Sequence, residues 1–460
     1  MTINEIISNK RDPKDIIADL KRKNIYVIPW SELEKEYNTR KHPVKTDPTY
    51  RDRINKRTGK IERVSRITLG LQKLAVKRMT ELLFGIPVQR VYKPKDENEK
   101  KVSEIMEAIF EKNRIDSVNI SRGRCLYASC EVVTLWYTQE QKTMYAGYES
   151  DLKLRCKIYS PMKGDVLYPL FDEYDDLIAL SVEYTRQEGD RKVRYFETYT
   201  ATEHVRWRID GERVEEEFRE QIYIGKINGV YVHRDEPIWE DKSDNVYEAE
   251  WTLSRNGNYI RRNARPNWVV FSDNKIKYGR EDTGEDQGRS VLQYGKDDKA
   301  EYKTWPQAID SIKYQIDEIR RGFFMDLQLP DMSMENMKAT PMSGEARKMM
   351  FIDAQLKVVD ESGAWLEAFD REINVVRAFM IPMFPELKSA IESLQVKVEI
   401  TPYQINDEDG KINRLANATG GKQIMSQRTA VSQLGYADNV DDELQEIARE
   451  NAAELFEPTE

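Results

Sequence analysis

Three cysteines in 460 residues are too few, and too irregularly spaced, to point to a disulfide framework or a zinc site. Cys125, Cys130 and Cys156 form an odd set without C-x-x-C spacing and read as small buried hydrophobes. Histidine is equally scarce. His42, His204 and His233 stand far apart with no H-x-x-x-H pair, so they read as residues of turns and strand faces. No apolar run approaches the roughly 20 residues of a membrane span, and the opening MTINEIISNKRDPKD lacks the apolar centre of a signal peptide. The expected place is the cytoplasm in which the chain is made, with no membrane partner.

Catalytic motifs are missing too. NDEDGK at Asn406–Lys411 fails as a calcium loop, because placing Gly410 at the turn position puts Ile405 first and Ala416 twelfth. GGKQ at Gly420–Gln423 lacks the upstream glycine and the Ser/Thr of a phosphate-binding loop, and no G-x-S-x-G elbow occurs. The acidic run GREDTGEDQGRS at Gly279–Ser290 reads as a solvated loop rather than a metal site. No catalytic residue, metal ligand or cofactor is therefore expected. A dispersed carboxylate site of a Mg-dependent nucleic-acid-processing enzyme stays open as an alternative, since spacing alone does not detect it.

A formal net charge of -9 argues against a protein that wraps DNA with a basic surface. The charge is uneven: Lys and Arg crowd residues 51–80 against only Asp52 and Glu62, whereas the chain from Asp438 onward is strongly acidic. The basic stretch is open to three readings: a nucleic-acid contact, a solvated face or a partner for an acidic neighbour.

What is present is helical periodicity on a long scale. From Ser343 the residues Met349, Ile352, Leu356, Val359, Leu366, Phe369, Ile373, Val376 and Met380 step by three and four, with Gly363 filling the one apolar gap. Ser343 is a capping residue and no proline intervenes before Pro382, so a helix of roughly 55 Å is predicted. Gly363, costing about 1 kcal/mol against alanine, marks the expected kink or close subunit approach. Upstream, Ile309, Ile312, Ile316, Ile319 and Phe323 define a shorter helix ending before Pro330. Between the two lies QLPDMSMENMKATPM, a loop of methionines and polar residues.

That order, a striped helix, a methionine-rich loop and a long helix opening on Ser343, Gly344, Glu345 and Ala346, resembles the portal proteins of tailed double-stranded DNA phages. The segment ELLFGIPV, with its helix-ending glycine, and the phrase SQRTAVSQLGYADNVDDELQEI resemble portal segments as well. The resemblance implies an α+β subunit: residues 1–238 as N-terminal helices and a β-rich wing, 239–264 as the first stem helix and 265–305 as a small α/β clip. It further implies a second stem helix at 306–328, a tunnel loop at 329–342, the long transverse helix with a return strand at 343–400, and a helical crown with an acidic C-terminus at 401–460. The first stem helix is a poor intrinsic helix at Asn256, Gly257 and Asn258. Within the wing, EVVTLWYT, LRCKIYS, IALSVEYT, VRYFETYT and EHVRWRI read as strands joined in antiparallel meanders, because no helix-length segments separate them. N-terminal to them, a polar helix is expected at Pro13–Lys23 and an apolar one through Val64, Ile67, Leu71, Leu74 and Leu82.

For function, the resemblance implies a non-enzymatic structural protein of the virion, a homo-oligomeric ring, dodecameric in the family, at one capsid vertex. Double-stranded DNA would pass through its channel during packaging and ejection. The partners implied are the large terminase subunit, a head-tail connector (adaptor) protein, and the major capsid and scaffolding proteins. Ser333, Met334, Glu335, Asn336, Met337 and Lys338 would form the DNA-channel loop, with Lys338 touching phosphate and the methionines either sliding along the duplex or packing between subunits. Another phage connector ring protein is the second alternative, one that would lack the stem, loop and long-helix order.

Overall fold

The computed structural model describes residues 3–8, 11–22, 25–54, 59, 61–263, 267–271, 277–280, 290–293, 299–303, 309–330, 352–403, 408–420, 424–434 and 440–454. The start of the long sequence stripe, before Ile352, and the loop that precedes it lie outside these residues.

The chain opens with α1 (Ile3–Ile6) and α2 (Pro13–Leu20). Asp12 caps α2 by accepting the Lys14 N–H, and Pro13 supplies a helix-ready φ at the first position. Next come α3 (Trp30–Tyr37), α4 (Pro43–Thr46), the short hairpin β1 (Arg53–Ile54) and β2 (Ile61–Glu62), and α5 (Leu71–Phe84). Sequence reasoning starts that last helix at Val64; the structure starts it at Leu71.

The reason lies in α8 (Ser243–Asn263), the segment expected as the first stem helix. The N–H groups of Ser65, Ile67 and Leu69 bond to the side chains of Asn258, Ser254 and Glu250. Two extended residues advance about 6.7 Å and four helical residues about 6 Å, so alternate amides of one segment meet every fourth side chain of the other. Helix formation at 65–69 would forfeit this ladder. Gly257 also makes sense here: a Cβ built on it would lie 2.7 Å from Ser65 Oγ. The poor helix formers of α8 are the residues that let the 65–69 segment lie against it.

After β3 (Gln89–Lys93), α6 (Glu97–Lys112) and α7 (Ile115–Ser129), the chain turns to strands. They are β4 (Glu131–Tyr145), β5 (Tyr148–Tyr159), β6 (Val166–Phe171), β7 (Leu177–Glu188), β8 (Arg191–Tyr199), β9 (Glu203–Asp210), β10 (Arg213–Gln221) and β11 (Gly229–His233). One sheet has the order β10-β9-β8-β7-β6 and a second β11-β4-β5, with every pairing antiparallel. The sequence reading identifies β4, β5, β7, β8 and β9 but not β6, β10 or β11. Val166–Phe171 carries a proline, and β10 is so charged that neither shows strand-like composition.

Beyond α8 the strands β12 (Asn267–Phe271) and β15 (Lys299–Lys303) pair with each other, as do β13 (Lys277–Arg280) and β14 (Ser290–Gln293). Then follow α9 (Ile309–Asp326), the long helix α10 (Ile352–Met383), α11 (Lys388–Ser393), β16 (Gln395–Glu399) paired with β3, and α12 (Glu408–Thr419), α13 (Gln427–Leu434) and α14 (Val440–Glu454). The fold is α+β.

The main core gathers α5, α6, α7, the three-stranded sheet and α10. Arg122 of α7 spans its centre. Its two terminal nitrogens each donate to Glu372 of α10 at 2.8 Å, while Trp136 Nε1 donates to the same carboxylate at 3.1 Å. A smaller core lies between the two sheets, and a third joins Ile7, Ile16, Ile17 and Leu20 to Phe196, Val205, Trp207 and Ile209 of the five-stranded sheet.

Candidate channel loop and assembly face

The predicted channel loop, Ser333 to Lys338, and the long-helix start, Ser343, Gly344, Glu345 and Ala346, lie outside the described residues. At the end of α9, Gln328 adopts φ 54, and the Leu329 N–H bonds back to the Phe324 carbonyl at 2.9 Å while the Gln328 N–H bonds to Met325. This is the helix stop in which a left-handed residue lets two amides satisfy the last free carbonyls. Phe323, Phe324, Leu327 and Leu329 are all buried, so the chain leaves α9 from a fixed point in the main core. On the far side of the loop Ala354 and Val358 return to that same core.

The helices on either side are α8 and α9, which pack on each other with Lys242 and Asp326 joined at 3.1 Å, and α10. Along α9 the stripe residues Ile312, Ile316 and Ile319 are half-buried, whereas Tyr314 and Met325 are exposed.

In α10 the sequence stripe does not mark a single buried face, which corrects the sequence reading. Ile352, Leu356 and Val359 are 48%, 58% and 67% exposed, while Ala354, Val358, Trp365, Ala368, Phe369 and Glu372 are buried. At 100° per residue, Leu356 lies about 180° from Trp365 around the axis, whereas Val358 lies about 20° from it. Two apolar stripes thus overlap in sequence: one enters the core of its own subunit, and the other, in the first half of the helix, faces solvent. Gly363 continues the solvent-facing row, and a Cβ built there meets nothing within 4 Å. The adjacent Val358-Val359 pair is the signal for two faces that periodic counting overlooks.

A second distinctive place lies between the two sheets, where an open cleft of about 810 Å³ is bordered by Lys157, Arg186, Arg206, Tyr199 and Tyr223. At its floor the Glu197 carboxylate is buried. It accepts Tyr184 Oη at 2.6 Å and is also bonded by Tyr199 Oη and Arg206 Nε. With three donors on it, two of them on Oε1, Glu197 acts as a strut between neighbouring strands. His204 stacks on Tyr199 with ring centroids 4.1 Å apart, so it serves a strand face. His42 is fully buried, its Nδ1 2.7 Å from Glu250 and its Nε2 2.7 Å from the Glu36 carbonyl, tying α4 to α8.

Cys125 and Cys130 are buried and Cys156 is partly buried, all as free thiols. Burial pushes the thiols of Cys130 and Cys156 up to about 12, so they stay protonated and act as packing groups. Among the described residues no cluster of three His, Cys, Asp or Glu side chains is arranged to hold a metal, and no helix is long and apolar enough to cross a membrane.

A helix that stops at a left-handed residue between buried leucines, a long helix with one face in the core and another in solvent, and a β-rich body at its side make up an α+β subunit, and its family is that of the phage portals. The chain belongs to the family described as phage portal protein, SPP1 Gp6-like, whose pattern it matches over residues 30–455. No curated protein sequence matches it. Among solved structures it is similar to a chain of one titled "Neck of empty GTA particle computed with C6 symmetry", with 9% identity, a TM-score of 0.46, and coverage of 92% of this chain and 99% of that one.

Proposed function

We propose that this chain is the repeating unit of a portal ring at one vertex of a phage capsid, forming the channel through which double-stranded DNA is packaged and ejected. Family membership across nearly the whole chain carries this reading. Helices α8 and α9 act as the stem, the strands β12 to β15 as the clip, the two larger sheets with α10 as the wing, and α12 to α14 as the crown. The ring is non-enzymatic. It docks the large terminase subunit, which supplies ATP hydrolysis, and later a head-tail adaptor on the clip; the major capsid and scaffolding proteins surround it. The subunits are made in the host cytoplasm and end in the virion.

The exposed row Ile352, Leu356, Val359 and Gly363 supports ring assembly, since a closed ring needs each subunit to offer two different complementary patches. With Gly363 lacking a side chain, a neighbour's backbone can approach α10 closely. The loop through Ser333, Met334, Glu335, Asn336, Met337 and Lys338 faces the channel, and the acidic subunits repel phosphate so that DNA slides without sticking.

Removing residues 333–340 tests the assignment. Rings of unchanged mass should form, while particles assembled with them package or retain less DNA; truncated rings that package and retain normally would remove the loop from the mechanism. Mass measurement of the intact protein tests the ring itself, with a multiple of about twelve subunits expected from the family.

A further inference from the structure

The C-terminal end of α10, the segment Tyr223–Lys226 and α11 enclose a groove of about 710 Å³, towards the other end of α10 from the Ile352 row. Its walls include Ile224, Ile381 and Ile391, and its charged lining is Lys226, Arg377 and Lys388 against the single carboxylate Glu392. Among the described residues none of the three cations is in an ion pair. Arg377 is half-buried, donates to the Leu394 carbonyl, and leaves its buried Nε without a partner. Burial lowers the Arg377 pKa, with Asp370 opposing the effect. Asp370 acts on Arg377 without forming an ion pair with it, so an anion entering the groove would supply a direct partner.

The opposite charge stands at the end of the chain. Between Val440 and Glu460 eight carboxylates face a single cation, Arg449. At helical spacing Val440, Leu444 and Ile447 share one face of α14, with Glu443 and Glu450 in a row beside it. None of the described residues of α14 is buried on its own subunit, and its principal neighbour is the short helix α13. Val440, Leu444 and Ile447 are only half-buried, so part of this apolar face is left for a further partner.

We propose that the groove at Lys226, Arg377 and Lys388 receives the acidic helix Val440–Glu454 of a second copy of the chain. The apolar face of the helix lies on the isoleucines and its carboxylates reach the three cations, the arrangement of an amphipathic helix in a groove. The charge complementarity selects this occupant: the groove has three cations against one carboxylate, and the helix has carboxylates beside an apolar face that is only half-buried. The inference rests on the ring reading and adds to it a contact away from the α10 row, one that belts each subunit to its neighbour.

The test mixes two full-length chains before assembly, one carrying Lys388→Cys and the other Glu446→Cys, and follows the disulfide between them under mild oxidation, with the wild-type chain as background. Lys226→Glu/Lys388→Glu is tested in parallel, with Glu443→Lys/Glu446→Lys as the compensating change. Expected are a cross-link between copies, a rise of about tenfold in the concentration at which rings form for the reversed groove, and recovery in the doubly reversed chain. Circular dichroism confirms that each variant folds. Rings that assemble normally with the groove reversed and give no cross-link overturn the inference and leave the ring standing. A wild-type chain that stays monomeric at every concentration overturns the ring reading and this inference with it.

Discussion

Single residues set the stability of this subunit where charge is buried. Arg122 and Glu372 are each 2% exposed at their side chains and meet as a two-bond pair 250 residues apart in sequence. Breaking one partner leaves the other charge buried alone. Glu372→Gln is expected to cost about 3–5 kcal/mol in urea unfolding, whereas replacing both partners by apolar residues of similar volume should recover most of the loss. Glu197 makes a different forecast. Burial alone raises its pKa, but His204, with Nε2 3.7 Å away, the hydroxyls of Tyr184 and Tyr199, and the charge of Arg206 together hold it well below the usual carboxylate range. A depressed folded value gives stabilisation that is full above the unfolded pKa near 4.5 and is lost as pH falls toward the folded one. Unfolding followed by near-ultraviolet circular dichroism should show the wild-type chain weakening below about pH 4.5. Glu197→Gln should be weaker at pH 7 by about 1–3 kcal/mol and flatter across the acid range. Neither site is legible in the sequence, because helical spacing rules relate neighbours three or four residues apart, whereas Arg122 and Glu372 lie 250 residues apart and Glu197 is bonded across adjacent strands of a sheet.

At the scale of elements, periodicity carried the reading a long way and then misassigned a face. The helices at Ile309–Asp326 and Ile352–Met383 and five of the strands follow from apolar spacing and β-branched composition. What spacing does not reveal is which of two overlapping stripes turns inward. Val358 and Trp365 win the core because Phe84 and Tyr127 meet them there: Trp365 lies edge-on to Phe84 with centroids 5.0 Å apart and donates to Tyr127 Oη at 3.0 Å. The helix expected at Val64 failed for a related reason, since the side chains of α8 gave residues 65–69 a better set of partners than a helix would. The solvent-facing stripe makes its own forecast. Leu356→Glu, on the exposed face, should leave the melting temperature of the isolated subunit within about 2 °C of wild type. In mass photometry the same variant should shift assembly from rings toward monomers. Full rings with a glutamate at that position would show that the Ile352, Leu356 and Val359 row is not part of the ring contact.

On the scale of the whole molecule, the three cores are sewn together by contacts between distant parts of the chain, and the first two helices make one such stitch. The sequence shows α2 only as a short polar helix, yet Ile16 and Leu20 are each 1% exposed and Ile17 6%, all three packed on Phe196 and Trp207 of the five-stranded sheet. Lys21 extends the attachment by pairing with Glu183 at 2.6 Å. Without this cover, Phe196 and Trp207 would face water on a sheet whose other side already packs on its neighbour, so the sheet depends on the N-terminal helices for its second face. A large-to-small change inside such a contact removes both transfer energy and packing. Ile16→Ala is therefore expected to destabilise the sheet by about 2–4 kcal/mol, while the main core, which has no atom in this contact, keeps its protection. Hydrogen exchange distinguishes the two: amides of Arg191–Tyr199 and Glu203–Asp210 should exchange faster in the variant, and those of Ile105–Phe110 at the wild-type rate. Equal acceleration in both regions would mean that sheet and core unfold as one unit, and that the N-terminal helices stabilise the entire subunit rather than the sheet they cover.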